Sequence, residues 1–386
     1  MVLRGHGGDR AGLLLLLAMG WSLSALGVAA APLEDVFTVS GVAVDAEAET
    51  ATAARELALA EGQRRAFRRL VERLVLGADQ PRRPELAEPA LTALVQGIEI
   101  QEEKTSSTRY LAKLTISFKK DEVRQLWRDR ALRFSETVAK PILVLPVYQV
   151  AGTEVLWDDP NPWREAWLAR EKGDSLISVL VPVGDLADIG AISPLQALAG
   201  DGERLGAIAA RYGVDEAMVA RASLSFDLSV GAPRLEVSLS QFGPSGDHLI
   251  IESFVGESRE VVDALLARAA REITLQLEDN WKRDTQLEFD RKMRLSATVP
   301  LSSLGDWLVV RERLGAVSMV VGIELSSLSK SSAQVVLNYL GDPGKLAISL
   351  AQRDLELSEE DGFWMLKPRQ ARALPVPPAA SSTAAE

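Results

Sequence analysis

The chain has no cysteine, and only two histidines among its 386 residues. The first absence excludes disulfides, a thiol nucleophile, thiolate metal sites and a lipidated amino-terminal cysteine. The second leaves little room for imidazole chemistry. His6 lies in a leader-like segment, so a Ser-His-Asp arrangement would depend on His248 alone, and a histidine-rich zinc site is excluded. His248 follows a glycine turn at the start of an expected strand and reads as an edge residue. No GxGxxG or GxxxxGK[S/T] stretch is present, so no nucleotide fingerprint marks a cofactor, and none is expected. Basic charge is also in deficit: 43 Lys and Arg stand against 54 Asp and Glu, a net of −11. That balance, without a compact basic patch, argues against nucleic acid as a partner.

The amino terminus carries a different signal. Arg4 and Arg10 precede an apolar run from Ala11 to Val28, and the run ends in small residues. This is the layout of a secretory signal peptide, residues 1–30, with cleavage expected after Ala30. The competing reading is a retained anchor, but the run is at the short limit for a bilayer span. No later segment is long and apolar enough to cross, which leaves at most peripheral membrane contact. An exported, cysteine-free chain suits the periplasm, and a second envelope protein is the expected partner.

The remainder reads as an α+β protein of three small mixed domains, 31–140, 141–285 and 286–368, with a Pro/Ala-rich tail at 369–386 expected to be disordered. The first predicts a strand at 37–44, a long alanine-rich helix, a short helix near 85–96, a hairpin and a closing helix. Gly62 falls inside the long helix, where it costs about 1 kcal/mol relative to alanine, and marks close packing or a kink. Arg64, Arg65, Arg68 and Arg69 form a basic cluster on that helix. They present either a face for an anionic partner or a solvated face paired with Glu61 and Glu72 at helical spacing.

The middle segment opens on the apolar run PILVLPVY, a buried strand, and predicts a second strand at 175–183. A helix and three further strands follow, then a long amphipathic helix near 257–277. Between the first two strands lies LWDDPNPWREAW, residues 156–167. Asp158, Asp159 and Glu165 could form a carboxylate site. The alternative is a turn followed by a helix capped by Asn161, with Pro162 in the first helical position. Trp163 and Trp167 are four apart and share a helical face. Together with Trp157 they supply either core packing or an interaction surface. Gly184 and Asp185 follow a strand, where α/β proteins often bind ligands, but no nearby lysine is placed to neutralise phosphate.

The last segment predicts β-α-β-β-α-β, a ferredoxin-like split βαβ plan. Three functional readings stand: a non-enzymatic envelope binding or assembly module, a small-molecule or lipid carrier, and a carboxylate-dependent hydrolase.

Three groups of residues carry a resemblance. They are VSGVAVD with ARELALAEGQRRAFRRL at 39–70, PILVLPVY with NPWREAW at 141–167, and VVLNYLGD with LAISL at 335–350. On these the chain resembles the DUF2066 family of exported bacterial proteins of unknown function. The resemblance implies an exported envelope protein and carries over no catalytic residues.

Overall fold

The computed structural model describes residues 35–170, 174–229, 231–243, 248–257 and 259–369. The expected signal segment and nearly all of the expected tail lie outside them. Helices and strands alternate through three sheets, each built from one of the three segments, and the fold is α+β.

In the first segment β1 (Thr38–Glu47) leads into α1 (Ala51–Leu74), where the Thr50 side chain accepts from Ala53 N at the helix start. A 3-10 turn at Gly77–Arg82 absorbs the proline-rich stretch. Then come α2 (Glu88–Leu94), β2 (Val95–Thr105), β3 (Arg109–Phe118) and α3 (Lys120–Asp129). The sheet order is β1-β3-β2, all antiparallel. Gly62 marks close packing: a Cβ there would stand 2.5 Å from Leu114 Cδ1 and 3.0 Å from Val44 Cγ1. Its missing side chain lets α1 press onto the sheet.

The second segment holds β4 (Ile142–Val150), β5 (Thr153–Val155), α4 (Pro162–Leu168), β6 (Val179–Leu180), α5 (Leu186–Ala191), α6 (Pro194–Leu198) and α7 (Gly202–Arg211). It continues with β7 (Glu216–Asp227), β8 (Ala232–Phe242), β9 (His248–Val255) and α8 (Val262–Asp284). The sheet runs β5-β4-β7-β8-β9. Strands β4 and β7 are covered on both faces, by α4 and α8 on one side and by the α5–α7 layer on the other. This is why β4 reads as an unbroken apolar run. The expected strand at 175–183 shrinks to Val179–Leu180, which pairs in parallel with Ile142 and Leu143. On that same edge of β4, β5 pairs with Tyr148–Val150, and the parallel pairing with β6 reaches no further than Leu143. Helix α8 runs further than its expected end near 277, because its last turns pack between segments.

The third segment contains β10 (Lys292–Pro300), α9 (Leu304–Gly315), β11 (Val320–Leu328), β12 (Ser332–Leu340), α10 (Pro343–Ala351), β13 (Leu355–Glu360) and β14 (Phe363–Pro368). The order is β11-β12-β10-β14-β13. The split βαβ plan holds through α10, and the structure adds one strand, β13. This addition reverses the chain before β14, so β14 lies parallel to β10. The sheet is therefore mixed where the ferredoxin-like plan is antiparallel.

The segments meet around residues 134–141. Ser135 Oγ lies 2.7 Å from Thr285 Oγ1, Trp281 Nε1 donates to Thr137 O at 2.6 Å, and Leu287 N donates to Phe134 O. One continuous apolar cluster contains residues of both the first and third segments, including Phe134, Leu74, Leu287 and Leu295. Arg73, its side chain fully buried, donates to the carbonyls of Val36, Thr38 and Asp174 and pairs with the Asp174 carboxylate at 2.8 Å. Such a buried cation holds only because nearly every donor finds an oxygen.

Candidate interaction surfaces

The carboxylates singled out at 158–165 do not gather into an enclosed site. Asp158, Asp159 and Glu165 are exposed, and Asp159 reaches only Arg164, at 4.0 Å. The helix that follows is built as capping chemistry dictates. Asn161 accepts from Arg164 N at 3.0 Å, while its Nδ2 donates to the Pro146 and Leu156 carbonyls at 3.3 Å.

Trp163 and Trp167 are fully buried, edge to face with ring centroids 5.6 Å apart, and Trp163 Nε1 donates to Ala220 O. Their burial removes both from any interaction surface, because the shared face of α4 is the one pressed onto the sheet. Trp157 is half-buried and ties its indole N–H to Ile192 O at 2.8 Å. The basic cluster on α1 is solvent-facing. Arg64, Arg65 and Arg68 converge on Glu61 at 3.2, 2.9 and 3.7 Å, and Arg65 also donates to Ala43 O. Glu72, the other expected partner, takes part in none of these pairs.

Gly184 and Asp185 belong to a self-satisfied polar cluster. Asp185 accepts from Ala187 N and Asp188 N at the start of α5 and pairs with Arg211 at 2.5 Å. The backbone N–H of Asp188, with help from Arg211, holds its carboxyl below the usual range. Buried Asp188 accepts from Gly184 N, Arg211 Nε and the Tyr212 hydroxyl. Burial, then that carboxylate contact, pushes the Tyr212 hydroxyl up to about 12. Every partner here is supplied by the chain itself, which makes this a brace for the loop.

Sequence reasoning missed the surface around α9. Trp307, Val310 and Leu314 turn inward, while Leu304 (63% exposed) and Leu308 (58%) turn outward. A helix apolar on both faces is expected where both are covered. Its rotation is fixed by Arg313, which donates to Asp354 O beside β13, at the far edge of the sheet from β11. Leu304, Leu308 and Arg311 lie on the opposite flank, turned towards the β11 edge. There Leu325 and Leu328, each 45% exposed, extend the apolar surface along an edge strand. The signal was present in LGDWLVVRERL, whose apolar residues exceed one face.

A groove of about 540 Å³ crosses the same sheet. It arises because β14 pairs with β10 only at Ala297 and Thr298, leaving the start of β10 open beside the Gly362–Phe363 turn. Met293, Tyr339, Pro343, Phe363 and Trp364 supply its apolar wall, and Arg294, Thr298 and Gln334 its polar one.

Among the described residues, no helix is long and apolar enough to cross a membrane, and no group of three or more His, Asp or Glu is placed to hold a metal ion. Searches with family models and against curated proteins find no match to the chain.

Proposed function

We propose that this protein is a non-enzymatic module of the bacterial cell envelope, exported to the periplasm, which binds another envelope protein through the α9–β11 face. The observation that carries this reading is the outward pair Leu304 and Leu308 beside the half-exposed Leu325 and Leu328 on an edge strand. Scattered single leucines need no explanation, but a contiguous apolar patch on an edge is a docking surface. A partner docked there would bury its own apolar side chains against the α9 flank and the β11 leucines. The signal-like first thirty residues and the resemblance to exported bacterial proteins support the compartment.

The test is a photo-crosslinking residue placed at Leu308 and, as control, at exposed Leu275 on α8, in intact cells. A discrete adduct with a second envelope protein is expected at Leu308 only, and Leu325→Asp should abolish it. Identical background at both positions would sink the reading, as would recovery of the protein in the cytoplasmic fraction.

A further inference from the structure

The groove at the start of β10 is shaped by an unfinished ladder. Strand β10 pairs with β12 from Lys292 to Pro300, but with β14 only at Ala297 and Thr298. Its second edge therefore has no strand beside it from Lys292 to Leu295. Residues 293–296 and 298 all line the groove, although their side chains alternate between the two faces of the sheet. A lining that ignores this alternation has the backbone edge itself as its floor. The walls are then the two faces. Met293, Tyr339 and Trp364 stand on the helix side, and Arg294, Thr298 and Gln334 on the open side.

Two donors in this groove are unused. Tyr339 is 1% exposed, yet it lines the groove and its hydroxyl has no hydrogen-bond partner among the described residues. The indole N–H of half-buried Trp364 has none either. A buried polar group left unpaired is costly and uncommon, so its place beside an open groove points to a ligand that accepts from it. Charge narrows the ligand further. Arg294 is the one charged residue in the lining, and Glu324 neutralises it at 3.0 Å.

We propose that this groove binds a short uncharged peptide segment, about four residues long and extended, which adds to β10 where β14 stops. The peptide backbone pairs with the open edge of β10. Its alternate side chains meet an apolar wall and a polar wall, the pattern of an amphipathic strand. The Tyr339 hydroxyl and the Trp364 N–H donate to acceptors that it carries. A sugar would use the aromatic wall, but it has no repeat that matches the spacing of the strand's backbone groups. The site lies at the opposite end of β10 from the α9–β11 face, where Leu328 stands level with Val299 across Ala333, and it does not rest on that reading.

The probe is fluorescently labelled acetyl-Thr-Val-Thr-Val-Thr-amide, followed by anisotropy with the purified protein. A dissociation constant of about 100 µM is expected for so short a strand. The same peptide N-methylated at its three central residues cannot form the ladder and should bind at least about 10-fold more weakly. Phe363→Ala, at the exposed turn, should weaken binding about 10-fold by removing apolar wall. Tyr339→Phe should weaken it about 5-fold without lowering the urea midpoint, because the hydroxyl bonds nothing in the free protein. Leu308→Lys, on the other surface, should change nothing. Absence of binding at about 1 mM peptide overturns the proposal. So does equal binding of the N-methylated peptide, parental binding by Phe363→Ala, or equal weakening by Leu308→Lys. Parental binding by Tyr339→Phe would overturn the role given to its hydroxyl. Binding of maltotetraose in place of the peptide would assign the groove to sugars and overturn the peptide reading.

Discussion

The ammonium of Lys282, near the end of α8, lies 2.5 Å from the carbonyl oxygen of Glu72 in the last turn of α1, and 3.2 Å from that of Val75. A helix leaves its final carbonyls without intrahelical donors, and cations near that end also meet the negative pole of the helix dipole. Lys282 thus caps the first segment's main helix from the second segment. Burial pushes its pKa below the ordinary lysine value, the nearby Glu278, Asp279 and Glu72 carboxylates oppose that shift, and the two carbonyls take the place of water at the ammonium.

Replacing this residue tests whether the contact holds the segments together. Lys282→Met keeps the apolar stem and removes both hydrogen bonds, and should cost about 2 kcal/mol. Urea unfolding followed by tryptophan fluorescence would read the loss as a lower midpoint. An unchanged midpoint would show that the cap contributes nothing net.

Asn161 makes a stronger prediction than its capping role alone. Loss of an N-cap costs about 1 kcal/mol. Asn161 is also buried and bonded to two carbonyls that would be left without this donor. Asn161→Ala should therefore cost about 2–3 kcal/mol. Trp163→Ala, which empties a fully buried site, should cost about 3–5 kcal/mol. Asp158→Ala, on the exposed turn, should shift stability by less than about 0.5 kcal/mol. If Asp158→Ala abolished function in a folded protein, a chemical role for the turn would have to be restored.

The legible parts of the fold are those whose causes are local. The cap at Asn161, the stripe on α1 and the alternation in β3 all depend on neighbours along the chain. What stayed hidden depends on distant partners. The strand at 175–183 had adequate composition, but only Val179 and Leu180 come alongside the start of β4, whose far end on that edge pairs with β5. Strand β13, LELSEE, is polar and short, and forms only because β14 returns beside it. Helices α5 and α6 have six and five residues, too few for periodicity to show, although Ser193 and Gln196 do form a capping box. The tryptophans at 163 and 167 had correct helical spacing, yet spacing cannot say whether the shared face meets sheet or water. For the α9–β11 face the reverse holds. Its excess of apolar residues is visible in sequence, but its meaning depends on knowing that β11 is an edge.

Gly62 should resist replacement despite sitting in a helix interior. Propensity alone favours Gly62→Ala by about 1 kcal/mol. The added methyl, however, meets Leu114 Cδ1 at 2.5 Å in a side chain that is itself fully buried. Overpacking of this kind costs about 1–3 kcal/mol, so the net effect should be destabilising or at best neutral. A compensating Leu114→Val in the same chain should recover part of the loss, which a double-mutant cycle in urea would show. If the single change raised the midpoint, the close approach of α1 to β3 would be looser than described.

Acid should weaken the fold through pairs such as Glu260 and Arg268. Arg268 donates to both carboxylate oxygens of Glu260, at 2.9 and 2.8 Å, and Glu257 N adds a third bond. The guanidinium is the main cause that holds the Glu260 pKa at about 2, against an ordinary 4.5. A carboxylate with a depressed folded-state pKa stabilises the fold above its unfolded value. That contribution shrinks as pH falls from about 4.5 and is gone once pH passes below about 2. The urea midpoint should therefore fall between pH 5 and pH 3 in the parent protein, and fall less in Glu260→Gln, which has no such proton to bind. Equal acid sensitivity in both would assign the loss to other carboxylates, of which Asp79, held low chiefly by Arg133, is the next to replace.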